Sequence, residues 1–359
     1  MLVATVVVGI AASQHTVSAT TTSTSATTTT TTTPAEVRQA GWQVVSASSR
    51  GVMVDFRDVS EGGAVFRVLR LRARTTLLRW HVGGIDPNLW AMAPIDAAPR
   101  IDWTSEGPAG IVAVFNGGFK QSAHAGGAVV DGVVMISLVP GDMTIAIDRA
   151  GHWEMGVWGA RNFPTTGFHP IAYRQNLTPM VLHGAPSAQA HSSSASVWGS
   201  PLNNNALTAR TGLGVDARGN LLYVASMTGV LPIQLAQELV AAGALEAMQL
   251  DINPFWPIMG APIRPVHNTA GVVNVQLPNQ QHSPTIYETG WQRDFFVALA
   301  EPNSWACSWQ SPGVHVATKG VQPQPLSLSG RGCRPRRTPT SSSTSSTTVP
   351  ATSTTTPLG

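Results

Sequence analysis

Val129-Val130-Asp131-Gly132-Val133-Val134 sets an Asp-Gly pair between two β-branched dipeptides. An Asp-Gly turn has the left-handed centre that folds one strand back on the next, so this segment predicts a tight hairpin. The same grammar of short apolar runs broken by turn residues recurs along the chain. Trp42 to Ser48 and Gly51 to Phe56 read as strands across a Ser-Ser-Arg turn, and Val65 to Arg72 alternates apolar residues with Arg for part of its length. Ile111 to Phe115 is a continuous apolar run that stops at Gly117-Gly118, as a buried strand does. Thr144 to Ile147 and His152 to Val157 flank a turn at Asp148 to Gly151; Thr211 to Val215 and Leu221 to Ser226 flank another at Asp216 to Asn220. One segment breaks the period. Pro232 suits a first helical turn, Leu235, Ala236, Leu239 and Val240 form a stripe, and Gly243 stops it. Ala247 to Asp251 then returns as a strand. This order predicts an α+β fold, a strand-rich mixed sheet with few helices and one helix packed on the sheet between Leu231 and Ala242.

The pattern is confined to the middle of the chain. Thr20 to Thr33 is Thr and Ser with one Ala, and Thr338 to Pro357 is dominated by Ser, Thr and Pro. Such tracts bury too little apolar surface to offset their ordering entropy and are expected to be disordered. Five segments follow: residues 1–19 as a signal peptide or N-terminal hydrophobic segment, 20–36 as a linker, 37–302 as the folded domain, 303–337 as a cysteine-containing extension and 338–359 as a tail. Leu2 to Ala12 is almost wholly apolar, and Val17-Ser18-Ala19 offers small residues for signal-peptidase cleavage, although the positive n-region is missing. A membrane anchor is the alternative, and no later apolar run reaches the ~20 residues of a span. A secreted or cell-envelope location is therefore expected. In that setting Cys307 and Cys333 are expected to form a disulfide, closing a loop of about 3 kcal/mol.

Composition excludes some function classes. Charged residues make up only 11% of the 359, and the net charge of +3 is concentrated in Arg331, Arg334, Arg336 and Arg337, leaving a nearly neutral body. A nucleic-acid binder carries a basic face on its fold, so no nucleic-acid partner is expected. There is no G-x-S-x-G elbow, no H-E-x-x-H and no G-x-x-x-x-G-K-[ST], and the ten histidines lack metal-ligand spacing. No cofactor and no metal ligand set is expected; metal dependence is left open.

Three segments carry candidate chemistry. In Phe115-Asn116-Gly117-Gly118-Phe119 a buried strand ends on an amide, and the two glycines allow close backbone approach to a ligand. The plainer reading is a strand-ending turn. In Thr208-Ala209-Arg210-Thr211-Gly212 an arginine enters an apolar strand, where its fork could hold a carboxylate or phosphate; the alternative is a surface salt bridge. In Leu250-Asp251-Ile252-Asn253-Pro254 a strand delivers a carboxylate to a polar turn, and the alternative is an Asx-turn.

Taken in this order, with Ala128-Val129-Val130-Asp131-Gly132 and the segment Asn176 to Gly184 between them and the helix before Leu250-Asp251, the sequence from Val52 to Ala300 resembles the phosphodiester glycosidase family. The resemblance implies an exported hydrolase cleaving a sugar phosphodiester or a related cell-envelope glycan bond. It implies Asp251 as the working carboxylate, Arg210 as the anion clamp and Asn116 as the orienting amide. Gly117, Gly118, Thr211, Asn253 and Trp256 would contact a carbohydrate or sugar-phosphate substrate. The chain departs from the family where Ile252-Asn253-Pro254-Phe255-Trp256-Pro257 replaces a Gly-Gly-Gly-Ser loop, and where Lys120 replaces a second aromatic after Phe119. Two prolines remove two backbone donors and Trp256 adds bulk. The rival class is a non-catalytic glycan-binding or cell-surface module, with Phe255 and Trp256 as a stacking platform; a surface scaffold that only spaces its tails is a third reading.

Overall fold

The computed structural model describes residues 41–87, 99–123, 125–268 and 274–301, and two short strands beyond them. The expected leader, linker and tail, and the Cys307–Cys333 pair, lie outside the described residues.

The first strands are β1 (Gln43–Ser48), β2 (Gly51–Glu61), β3 (Ala64–Leu71), β4 (Thr76–His81) and β5 (Ile111–Asn116). Next come β6 (Ala128–Val130), β7 (Val133–Ile136), β8 (Met143–Asp148), β9 (Trp153–Val157) and β10 (Pro170–Gln175). Then follow β11 (Val181–Leu182), β12 (Ala185–Pro186), the single-turn helix α1 (Ala195–Trp198), β13 (Thr208–Asp216) and β14 (Leu221–Val230). The main helix α2 (Pro232–Ala242) leads into β15 (Ala244–Ile252), β16 (Met259–Ala261), β17 (Val275–Gln276), the single-turn α3 (Ile286–Thr289) and β18 (Phe295–Ala300). The pair β19 (Trp309–Ser311) and β20 (Val314–Val316) closes the described chain.

One sheet has the order β1-β2-β3-β14-β13-β15-β11-β12, a second β7-β6-β10-β8-β9 and a third β17-β16-β5-β18-β4. The strand-rich α+β class and the single substantial helix agree with expectation. The sheets are not mixed: every pairing among the described residues is antiparallel. Tight turns join β1 to β2, β2 to β3, β6 to β7, β8 to β9, β11 to β12 and β13 to β14, and such turns connect only antiparallel strands, whereas parallel neighbours need long crossovers. The Asp131-Gly132 hairpin forms, with both residues at positive φ (47° and 81°). Helix α2 starts where the Gln234 side chain accepts from Leu231 N at 2.9 Å, and stops at Gly243 in the left-handed region.

Strand alternation sorts the core. Leu235, Ala236 and Leu239 of α2 pack on Val68, Leu222 and Val224 on one face of the large sheet. The other face, with Leu69, Leu213, Tyr223 and Leu250, meets Phe115 and Phe296 of the third sheet and Ile145 of the second. Phe295 and Val297 turn away from that core onto Tyr287 and Ile258. β5 is buried at all six positions. It therefore brings its C-terminal tip, Asn116, to the seam between the large sheet and the third sheet.

Candidate active site

The tip of β5 runs into a loop held by side chains from four other strands or their ends. Asn116 Nδ2 donates to Thr211 Oγ1 (3.0 Å) and to Gly117 O (3.1 Å), and its Oδ1 accepts from Tyr223 Oη (2.7 Å) and Ile258 N (3.3 Å). Thr211 Oγ1 in turn donates to Asp251 O at 2.7 Å, and Asp251 N donates to Gly117 O at 3.0 Å. Asn116, Thr211, Gly117 and Asp251 thus form one network. The amide of Asn116 is fully occupied within the protein, so it fixes the loop.

Two buried ion pairs flank this loop. Asp251 Oδ2 accepts from Arg293 Nη2 at 2.6 Å, and the same nitrogen donates to Gly118 O at 3.2 Å. Asp294 Oδ2 accepts from Arg174 Nε (2.8 Å), Trp80 Nε1 (3.0 Å) and Gly118 N (3.2 Å). Arg174 also donates to Gln175 O and Phe119 O at 2.8 and 2.7 Å, and Asn176 Oδ1 accepts from Phe119 N at 2.8 Å. The two glycines have a steric reason. A Cβ at Gly117 would stand 2.3 Å from Asp294 Oδ2, and one at Gly118 would stand 2.6 Å from Asn176 Oδ1. The close approach is made by the protein's own carboxylate and amide.

The two pairs differ in satisfaction. Asp294 and Arg174 use their polar atoms on protein partners. Arg293 Nε is buried with no hydrogen-bond partner, and the guanidinium lies 5.0 Å from the Trp256 ring centroid. Burial pushes the Asp251 carboxyl up to about 7; Arg293 opposes that shift and the neighbouring Asp294 adds to it.

Arg210 stands apart. Its Nε donates to Val230 O (2.9 Å), Nη1 to Gln249 Oε1 (2.8 Å) and Nη2 to Ala206 O (2.9 Å). It shares no hydrogen bond with Asn116 or Asp251, because strand alternation sends it to the face opposite Thr211. Burial pulls its guanidinium down to about 10. Arg210 is buried and makes no surface salt bridge among the described residues; each of its nitrogens has a protein partner, tying β13 to the start of α2 and to Gln249, whose Nε2 donates to Trp198 O. Asn253, at φ 75°, accepts from Leu202 N (2.8 Å) and Thr208 Oγ1 (3.2 Å), so it too is a turn-holding residue. Trp256 is half-buried, and Phe255 beside it is 47% exposed. Two sizeable cavities are described, of about 710 Å³ beside Trp153, Phe163 and Leu182 and about 660 Å³ beside Arg79, His81 and Glu106. Neither is lined by Asn116, Arg210 or Asp251.

Arg293, Asp294, Arg174 and Tyr223 escaped the sequence reading. The signal was present for two of them: Arg293-Asp294 enters the apolar run Phe295 to Ala300 just as Arg210 enters Thr211 to Val215. Arg174 and Tyr223 lie inside strands whose pattern marks them only as alternate-face positions.

No protein-family model matches the chain, and neither does any curated protein. Among solved structures, the chain is similar to the catalytic domain of zebrafish N-acetylglucosamine-1-phosphodiester alpha-N-acetylglucosaminidase auto-inhibited by its pro-peptide. The two are 12% identical over 72% of this chain and 87% of that one, with a TM-score of 0.43. It is also similar to a hypothetical protein from Synechocystis, at 12% identity over 69% and 62% of the two chains and a TM-score of 0.40. A Burkholderia pseudomallei protein described as exported gives 13%, 71% and 76%, with a TM-score of 0.34. None of these likenesses assigns a family or an activity to this chain. No described helix is long and apolar enough to cross a membrane.

Proposed function

We propose that the domain is an exported carbohydrate-directed hydrolase that cleaves a sugar phosphodiester at the Asp251–Arg293 pair. The observation that carries this reading is the incomplete satisfaction of Arg293: a buried guanidinium nitrogen with no partner, next to a carboxyl raised to about 7. An oxyanion of the substrate fits that unused donor, so Arg293 takes the clamp role that the sequence suggested for Arg210. Asp251, near half-protonated at neutral pH, is matched to proton transfer there. Water attacks the anomeric carbon and gives its proton to Asp251. The bond from that carbon to the phosphate oxygen breaks, and the phosphate leaves as an anion held by Arg293. Phosphate is a good leaving group, so one carboxylate and one clamp meet the main demands. Asn116, Thr211 and Gly117 are positioning residues in this scheme, and Trp256 covers the guanidinium, so substrate displaces or stacks on its ring.

A second reading, a glycan-binding module without turnover, is favoured by one observation. Phe255 is exposed beside the half-buried Trp256, an aromatic pair of the kind on which a sugar ring packs. Incubation with a chromogenic sugar phosphodiester separates the two. Turnover that disappears in Asp251→Asn supports hydrolysis. Saturable glycan binding with no turnover selects the second reading.

A further inference from the structure

The cavity of about 660 Å³ is lined by neither Asp251 nor Arg293 and has its own polar lining. β6 and β8 are both antiparallel to β10 and therefore run in the same direction, so the hairpin turns that follow them emerge at one end of the second sheet. Those turns supply Asp131 from one hairpin and Asp148 and Arg149 from the other. β4 supplies Arg79 and His81, and the loop after residue 101 supplies Asp102, Ser105 and Glu106.

Most of these carboxylates are held by the protein. Glu106 pairs with His81 Nε2 at 2.8 Å and accepts from Asp102 N at 2.9 Å. Asp102 accepts from Ser105 Oγ at 2.6 Å and Thr104 N at 3.0 Å. Asp148 accepts from Gly151 N at 2.7 Å and His152 N at 2.8 Å, and contacts the His152 ring at 3.1 Å. Arg79 differs. It is half-buried, it donates only to Leu78 O at 3.2 Å, and it makes no ion pair among the described residues. Burial lowers its pKa while Glu106, Asp148 and Asp131 pull the other way, so the guanidinium sits in their field without touching them. Arg149 and Asp131 are exposed at the rim and likewise make no described ion pair.

Two requirements follow for an occupant. The unused donors belong to Arg79 and Arg149, and a guanidinium fork matches an oxyanion. Yet the lining carries four carboxylates against two guanidiniums, so a purely anionic ligand meets net repulsion. A ligand with both an oxyanion and an ammonium satisfies both. We propose that this cavity is a second binding site, for a small zwitterion whose oxyanion lies on Arg79 and Arg149 and whose amine faces Asp131 and Asp148. The volume lies within the range of about 300–1,000 Å³ typical of small-molecule pockets, enough for a phosphorylated amino sugar.

Calorimetric titration of the full chain tests this with three probes: glucosamine 6-phosphate, glucose 6-phosphate and glucosamine. Glucosamine 6-phosphate should bind at least about tenfold more tightly than either single-charge probe, since each missing partner leaves a charged group unmatched. Arg79→Gln should abolish that binding. Arg149→Gln and Asp131→Asn, both on exposed turns where the fold is not at stake, should each weaken it several-fold, and Asn tolerates the positive φ at 131. Asp251→Asn should leave the affinity unchanged. No saturable binding, equal affinity for all three probes, or binding that survives Arg149→Gln and Asp131→Asn but is lost in Asp251→Asn would each overturn the proposal.

Discussion

Two arginine–aspartate pairs sit back to back at the entry to β18, and they do opposite work. Asp294 faces Arg174, Trp80 and the Gly118 amide, and the surrounding donors and acceptors meet. Asp251 faces Arg293, which keeps one buried nitrogen unpartnered. Both pairs are removed from water, so desolvation costs are similar in kind. A buried ion pair whose remaining valences are filled holds strands together. The Asp251–Arg293 pair keeps an open donor and a raised carboxyl, the two features on which the proposed chemistry rests.

The comparison breaks first at the satisfied pair. Arg174→Met strands Asp294 in the core, and removing one partner of a buried pair costs about 3–5 kcal/mol. Urea denaturation should show that loss; a change below about 1 kcal/mol would mean that the pair does not hold the seam. At the other pair, Asp251→Asn should retain the fold and lower turnover of a sugar phosphodiester by about 10²–10⁴-fold, the range for a general acid–base group. Unchanged turnover would remove Asp251 from the chemistry.

Arg210→Ala sharpens the contrast between arginines. It deletes three hydrogen bonds from a charged group, two buried and one part-buried, so a stability loss of about 2–4 kcal/mol is expected in thermal or chemical unfolding. Turnover per folded molecule should stay close to wild type. The reverse result, a stable and inactive protein, would return Arg210 to the clamp role.

The raised carboxyl has its own signature in pH. Folded Asp251 holds its proton up to about 7, while the unfolded chain releases it near 3.8. The native state then binds more protons than the unfolded state between those values, so this group makes stability fall as pH rises from about 4 to about 7 and adds no slope above that. Asp251→Asn should flatten the profile in that window when unfolding midpoints are measured across it. The smallest effect belongs to Phe255→Ala: an exposed side chain should change stability by no more than about 0.5 kcal/mol, while glycan binding, measured by titration, should weaken if the aromatic pair is a platform.

The segments that announced themselves locally were read correctly from local rules. The Asp131-Gly132 hairpin, the α2 stripe with Pro232 and Gly243 at its ends, and the strands around Ile111 and Leu221 depend on turn chemistry and periodicity within about ten residues. Asn116 and Asp251 stand out in the sequence because each terminates such a run. Arg210 was also found at a run's end, but its partners are not local. Val230 and Gln249 lie on neighbouring strands, and only the antiparallel register of β13 with β14 and β15 brings them to the guanidinium. The same holds for the glycines. Their pairing after Asn116 is visible in the sequence, but the reason for it, the Asp294 carboxylate against Gly117 and the Asn176 amide against Gly118, comes from chain 177 and 58 positions away. Sequence alone determined which residues stand at strand ends, because burial period and turn propensity act over short distances. The tertiary structure decided which of those ends meet, which face each side chain takes and which buried donor is left without a partner, because pairing across sheets joins residues that share no local signal.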